Sequence, residues 1–139
     1  MRLLITAAAG LALAATCFSQ APTKIKKVPA QDVNAASGSE MFHSYCAPCH
    51  GADGMGNGPA ASALKKAPAN LTLLDQKNGG KFPALSVQNT IKGEAGTAAH
   101  GSRDMPVWGD IFKDMRGGTI MGELRVKNLT DYIETLQAK

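Results

Sequence analysis

The chain has 139 residues, a formal charge of +4 and only 5% aromatic residues. That length allows one modest domain. So small a charge, with no basic stripe interleaved with aromatics, excludes a nucleic-acid-binding surface and suits at most a mildly acidic docking partner.

The chain begins with a segment unlike the rest. Residues 1–18 carry one charge, Arg2, ahead of the run "LLITAAAGLALAATCF". A basic start and an apolar run too short for a comfortable membrane span predict an export signal. Small residues at Ser19 and Ala21 offer a cleavage site, so residues 1–21 are expected to be removed and the protein to work in the periplasm. Cys17 offers an alternative, lipid attachment to the membrane, although "AAT" before it matches such a signal poorly. Cleavage takes away Arg2 alone and lowers the charge by one, to +3. Residues 22–37, "PTKIKKVPAQDVNAAS", have no apolar period and read as a flexible tether. The folded domain is expected over residues 38–139.

Three segments are predicted to be helical. "GSEMFHSYCA" follows Ser37 as a cap and brings Met41, Phe42 and Tyr45 to one side. "LSVQNTIKGE" places Leu85, Val87 and Ile91 within two turns, with Ser86 as a cap and Gly93 as a stop. "GELRVKNLTDYIETLQAK" has the clearest period: Leu129, Tyr132, Ile133 and Leu136 fall at i, i+3, i+4 and i+7, and Val126 extends the stripe. No segment alternates in the strand manner for long, so the fold class is all-α. Residues 51–59 and 95–106 are long loops dense in Gly, Pro, Ala and Asn, and residues 71–84 carry no pattern. The large rings of the domain are few: Phe42, Tyr45, Phe82, Trp108, Phe112 and Tyr132. A thin core with long loops is reasonable if both enclose a bulky apolar cofactor.

The stretch "SYCAPCHGADGMGNGP" concentrates the chemistry. A thioredoxin-like dithiol would follow a strand and open a helix, whose N-terminus lowers the thiol pKa; here a helix comes first and a Gly-rich loop after. A zinc site needs four ligands, whereas Cys46, Cys49 and His50 offer at most three, two of them adjacent. A plain disulfide leaves His50 without a part. C-x-x-C-H is also the attachment signal for c-type haem. In that reading Cys46 and Cys49 anchor the haem covalently and His50 gives its imidazole to the iron.

Such an iron has a second axial position. Neutral candidates are Met41, Met55, Met105, Met115, Met121, His43 and His100. Met41 and His43 share the first helix with the motif, and Met55 lies beside the proximal ligand. In "HGSRDMPVWGDIF", Pro106 restrains Met105 to an extended backbone, which favours Met105, with His100 as its rival and an open sixth position as a further alternative.

These residues together resemble class I monohaem cytochromes c of the bacterial periplasmic type, over residues 38 to about 137. Gly38-x3-Phe42-x3-Cys46 is similar to the family's first helix and Leu129-x2-Tyr132 to its last, which cross. "GNGP" resembles the loop whose proline carbonyl holds the proximal imidazole, here Pro59 on His50. "MPVWGDIF" resembles the distal-ligand loop, with Trp108 near the haem edge, where its indole N–H donates to a propionate or simply packs.

The resemblance implies a cytochrome c fold with long loops wrapping one covalent haem c. It implies a His50 and Met105 ligand pair, and a single-electron carrier in a respiratory or related chain. No catalytic residue is implied. The expected partners are a redox donor and an acceptor, met as a monomer or as a subunit of a membrane complex. Two alternatives remain: a haem domain that works as a subunit of a larger oxidoreductase, and a peroxidase-like enzyme with an open distal site and His100 as acid–base group.

Overall fold

The computed structural model describes residues 30–94 and 105–138. Every regular element among them is helical. Ser37 starts the first, α1 (Gly38–Met41), its hydroxyl accepting the Glu40 N–H at 3.2 Å. The run widens into a π turn, Phe42–Cys46, and regains α geometry in α2, Ala47–His50. Pro48 explains the widening. Its ring has no N–H for the Ser44 carbonyl and would crowd that carbonyl in an ordinary helix. The Ala47 N–H instead reaches Phe42 O, and the added residue opens the turn.

Two 3₁₀ turns, Ala61–Ala63 and Leu71–Leu73, precede α3 (Leu74–Lys77) and α4 (Ala84–Lys92). After the segment 95–104 come α5 (Trp108–Asp114) and α6 (Gly118–Thr135). Among the described residues no helix is long and apolar enough to cross a membrane.

The long α6 packs against α1, α4 and α5. Gly122, Val126, Leu129 and Ile133 form its buried stripe, spaced as one helix face requires. They meet Met41, Phe42, Tyr45 and Cys46 from the first helical run, Ile91 from α4 and Phe112 from α5. Phe42 and Phe112 have no exposed surface; burying a side chain of this kind contributes about 1.5–3 kcal/mol. Gly38 sets the approach of the first and last helices, because a Cβ there would lie 2.2 Å from Asn128 O and 2.9 Å from Tyr132 Cβ. At this separation the Phe42 and Tyr132 rings stand 5.3 Å apart, tilted by 52°.

Four expectations shift. The last helix starts at Gly118, four residues before the expected start. In α4, Leu85 is 71% exposed, so only Val87 and Ile91 of the expected stripe face inward, and Pro83 rather than Ser86 holds the cap position. Gly93 ends α4 as expected, at φ +78°. The sequence reading has no helix at Trp108–Asp114; its apolar residues, Trp108, Ile111 and Phe112, are too few to display a period.

The expected tether, 22–37, is a packed arm over its described part. Tyr45 donates its hydroxyl to Gln31 O at 2.5 Å and accepts from Val33 N at 3.3 Å. Asn128 donates to Ala35 O at 2.8 Å. Arg125, 2% exposed, reaches Asp32 at 3.3 Å and the carbonyl of Arg116 at 2.9 Å. Folded contacts therefore begin before Gly38. An arm held by backbone carbonyls and a buried arginine leaves no apolar period in its own sequence.

Candidate functional site

The helical run from Gly38 to His50 carries Cys46, Cys49 and His50 together. Cys46 closes the π turn and is buried in the core cluster; Cys49 is half-buried in α2. Burial, and then the neighbouring Cys49, push the Cys46 thiol up to about 12. A redox dithiol needs the opposite, a lowered first thiol. Among the described residues no group of three His, Cys, Asp or Glu side chains converges to hold a metal ion, which removes a zinc centre built from them.

His50 is the last residue of α2, and Gly51, at φ +82°, turns the chain away behind it. Its Nδ1 lies 3.0 Å from Ala69 O. A carbonyl only accepts, so Nδ1 carries the proton and Nε2 keeps the lone pair. Burial holds the imidazole below its ordinary pKa, against the opposing pull of the Ala69 bond. With Nδ1 donating to Ala69 O, Nε2 is the ring's acceptor nitrogen.

The acceptor on His50 was expected to be Pro59 and is Ala69. The Gly-rich loop has a different task. Gly56 N donates to His50 O at 2.6 Å, Gly58 N to Cys49 O at 3.1 Å and Ala60 N to Pro48 O at 2.8 Å. The loop folds back to satisfy the last carbonyls of α2, groups that every helix end leaves unpaired. Such close wrapping requires Gly58, where a Cβ would lie 2.5 Å from the carbonyl oxygens of Ala47 and Pro48. Pro59 is exposed beyond this contact. The acceptor on His50 is a backbone oxygen from the next loop. Its side chain is a methyl group, so no residue type in the sequence signals it.

Met105 stands three residues before α5, half-buried and outside the core cluster. The other methionines of the described residues are placed differently. Met41 is fully buried in the core, Met115 packs against it, Met55 is 55% exposed and Met121 lines a groove with Asp32 and Arg125. His43 is exposed and bonded to Ser39 O at 2.8 Å. His100 and Arg103 lie outside the described residues. Trp108 packs its indole on Phe112, at 5.3 Å and 29°, and on Tyr45, at 5.1 Å.

Two cysteines three positions apart on one helical run, and an adjoining imidazole held through Nδ1 by Ala69 O, fit covalent haem attachment. No curated protein and no solved structure matches the chain significantly. The family model for cytochrome c matches residues 35–137, a span that includes the C-x-x-C-H motif and every helix among the described residues. The chain belongs to the cytochrome c family, and its cofactor is a covalently bound c-type haem with iron.

Proposed function

We propose that this chain is an exported single-electron carrier with one haem, tied by Cys46 and Cys49 and ligated by His50 and Met105. Haem-based electron transfer follows from the family; the residue assignments are our reading. The observation that carries it is the arrangement of the motif: Cys46 and Cys49 on one helical run with His50 next to them, its Nδ1 bonded to Ala69 O. When bound, the haem supplies an iron that takes up and releases one electron between its ferric and ferrous states.

The protein's own groups prepare that exchange. Ala69 O fixes the His50 tautomer and makes its ring a stronger donor. A thioether from Met105 would favour the reduced state over a second imidazole. The Tyr45, Trp108 and Phe112 rings pack together, and Cys46 joins Tyr45 and Phe112 in the core cluster. Such apolar surroundings disfavour the extra positive charge of the oxidised state. In this reading no substrate bond is broken. The partners are redox proteins, met through small interfaces that release quickly. Residues 1–21 direct export to the periplasm, with Cys17 as an alternative lipid anchor.

Two measurements test the reading. Intact mass of the exported protein should equal residues 22–139 plus one haem; a mass without haem refutes it, and an added lipid relocates the cleavage. The oxidised spectrum should show a low-spin haem with a weak sulfur–iron band in the red. A high-spin haem that binds added ligands readily would overturn Met105 ligation and the simple carrier.

A further inference from the structure

His50 is held by a backbone carbonyl, and a carbonyl is only as well placed as the loop that carries it. The loop bearing Ala69 is tied down mainly from the far end of the chain. Gln137 lies two residues beyond α6. Its Oε1 accepts from Leu74 N at 2.9 Å and Asp75 N at 3.1 Å, and its Nε2 donates to Leu71 O and Ile133 O, both at 2.8 Å. These four bonds use both amide protons and both acceptor positions of the side chain. Ala138 N adds a bond to Thr72 O at 2.8 Å. Upstream, Asn70 Oδ1 accepts from Thr72 N and Oγ1, and Leu71 N donates to Gly54 O at 2.7 Å. Ala69 is thus two residues from a segment clamped by the amide of Gln137.

We propose that Gln137 is a positioning residue for the axial imidazole: its amide fixes residues 71–75, and through them the Ala69 carbonyl that holds His50 Nδ1–H. The chain's last turn thereby tunes the donor strength of the ligand at its first helix. The proposal rests on the reading of His50 as an iron ligand.

The test uses the haem-loaded protein and two readouts: solvent exchange of the His50 Nδ1 proton by NMR, and the reduction potential. Gln137→Ala should speed that exchange about tenfold, as loss of one ordinary hydrogen bond would. It should also raise the potential, because a less electron-rich imidazole stabilises ferric iron less. Gln137→Glu keeps the acceptor for Leu74 and Asp75 but loses the donor to Leu71 O; it should move both readouts the same way, and it decides the matter if the alanine variant does not fold. Asn128→Ala removes a bond from α6 to the arm and should leave both readouts at their wild-type values. Unchanged exchange and potential in the Gln137 variants, even with lowered melting temperatures, would overturn the proposal, as would an equal shift in Asn128→Ala. A wild-type protein without an iron-shifted His50 Nδ1 proton would instead refute His50 ligation itself, and this inference with it.

Discussion

Replacing Gly38 by alanine inserts one methyl group where the first and last helices touch. The new carbon would stand 2.2 Å from Asn128 O, 2.9 Å from Asn128 C and 2.9 Å from Tyr132 Cβ. Two of these three atoms are backbone, so no side-chain rotation relieves them. An ordinary carbon–oxygen contact is about 3.3 Å, so the helices must part by about 1 Å. That displacement reaches the Phe42–Tyr132 pair and the buried Met41 and Leu129. Overpacking of this kind costs about 1–3 kcal/mol. The better helix propensity of alanine offsets up to about 1 kcal/mol, less at the first position of a helix. A net loss of about 1–2 kcal/mol corresponds to a melting temperature roughly 4–16 °C lower for a domain of this size. The assay is thermal unfolding followed by far-ultraviolet circular dichroism. Gly79→Ala serves as comparison, because nothing lies within 4 Å of a Cβ there and only its φ of +68° is strained. A Gly38→Ala protein that melts at or above the wild-type temperature would refute the close-approach argument.

Met105→Ala should keep the haem attached, abolish the sulfur–iron band and lower the potential; survival of the band would reassign the ligand. Tyr45 carries a pH dependence. Burial, the largest cause, raises its pKa above 10.0 in the folded protein. The linked stability is therefore fully present below pH 10 and is lost as pH rises through the folded value. Melting curves from pH 8 to 12 should show this loss in the wild type and a smaller one in Tyr45→Phe, and identical profiles would refute it. Arg125→Ala strips the donors from Arg116 O, Phe112 O and Asp32 and should cost about 2–3 kcal/mol. Limited proteolysis should then cut near residues 30–37 far faster than in the wild type, while an unchanged rate would show that the arm is held by its other contacts alone.

Side chains that act through their own chemistry were legible in the sequence. Cys46, Cys49 and His50 announce themselves by type and spacing, and the stripe of Val126, Leu129 and Ile133 by period. The meeting of Gly38 and Phe42 with Tyr132 follows from the resemblance to the family's first and last helices, which cross. Backbone groups left no such mark. The His50 acceptor is a carbonyl, whose position depends on the path of two loops, and Pro59 was expected in place of Ala69. The packed arm was missed for the same reason, because Gln31, Val33 and Ala35 are held through main-chain atoms. Short α5 was missed because seven residues cannot display a period. The burial of Arg125 depends on the carbonyls of Phe112 and Arg116, which the sequence does not place.

The bonds around the motif differ in how much chain they span. The loop's bonds to His50, Cys49 and Pro48 span 6, 9 and 12 positions, and such local contacts form earlier and at less entropic cost than distant ones. The clamp from Gln137 to Leu71 spans 66 positions and cannot close until Gln137 has been made. A chain that emerges N-terminus first therefore offers its two thiols on a locally shaped segment, still open to a large planar partner. Only when the C-terminal turn arrives is the carbonyl opposite His50 locked in place.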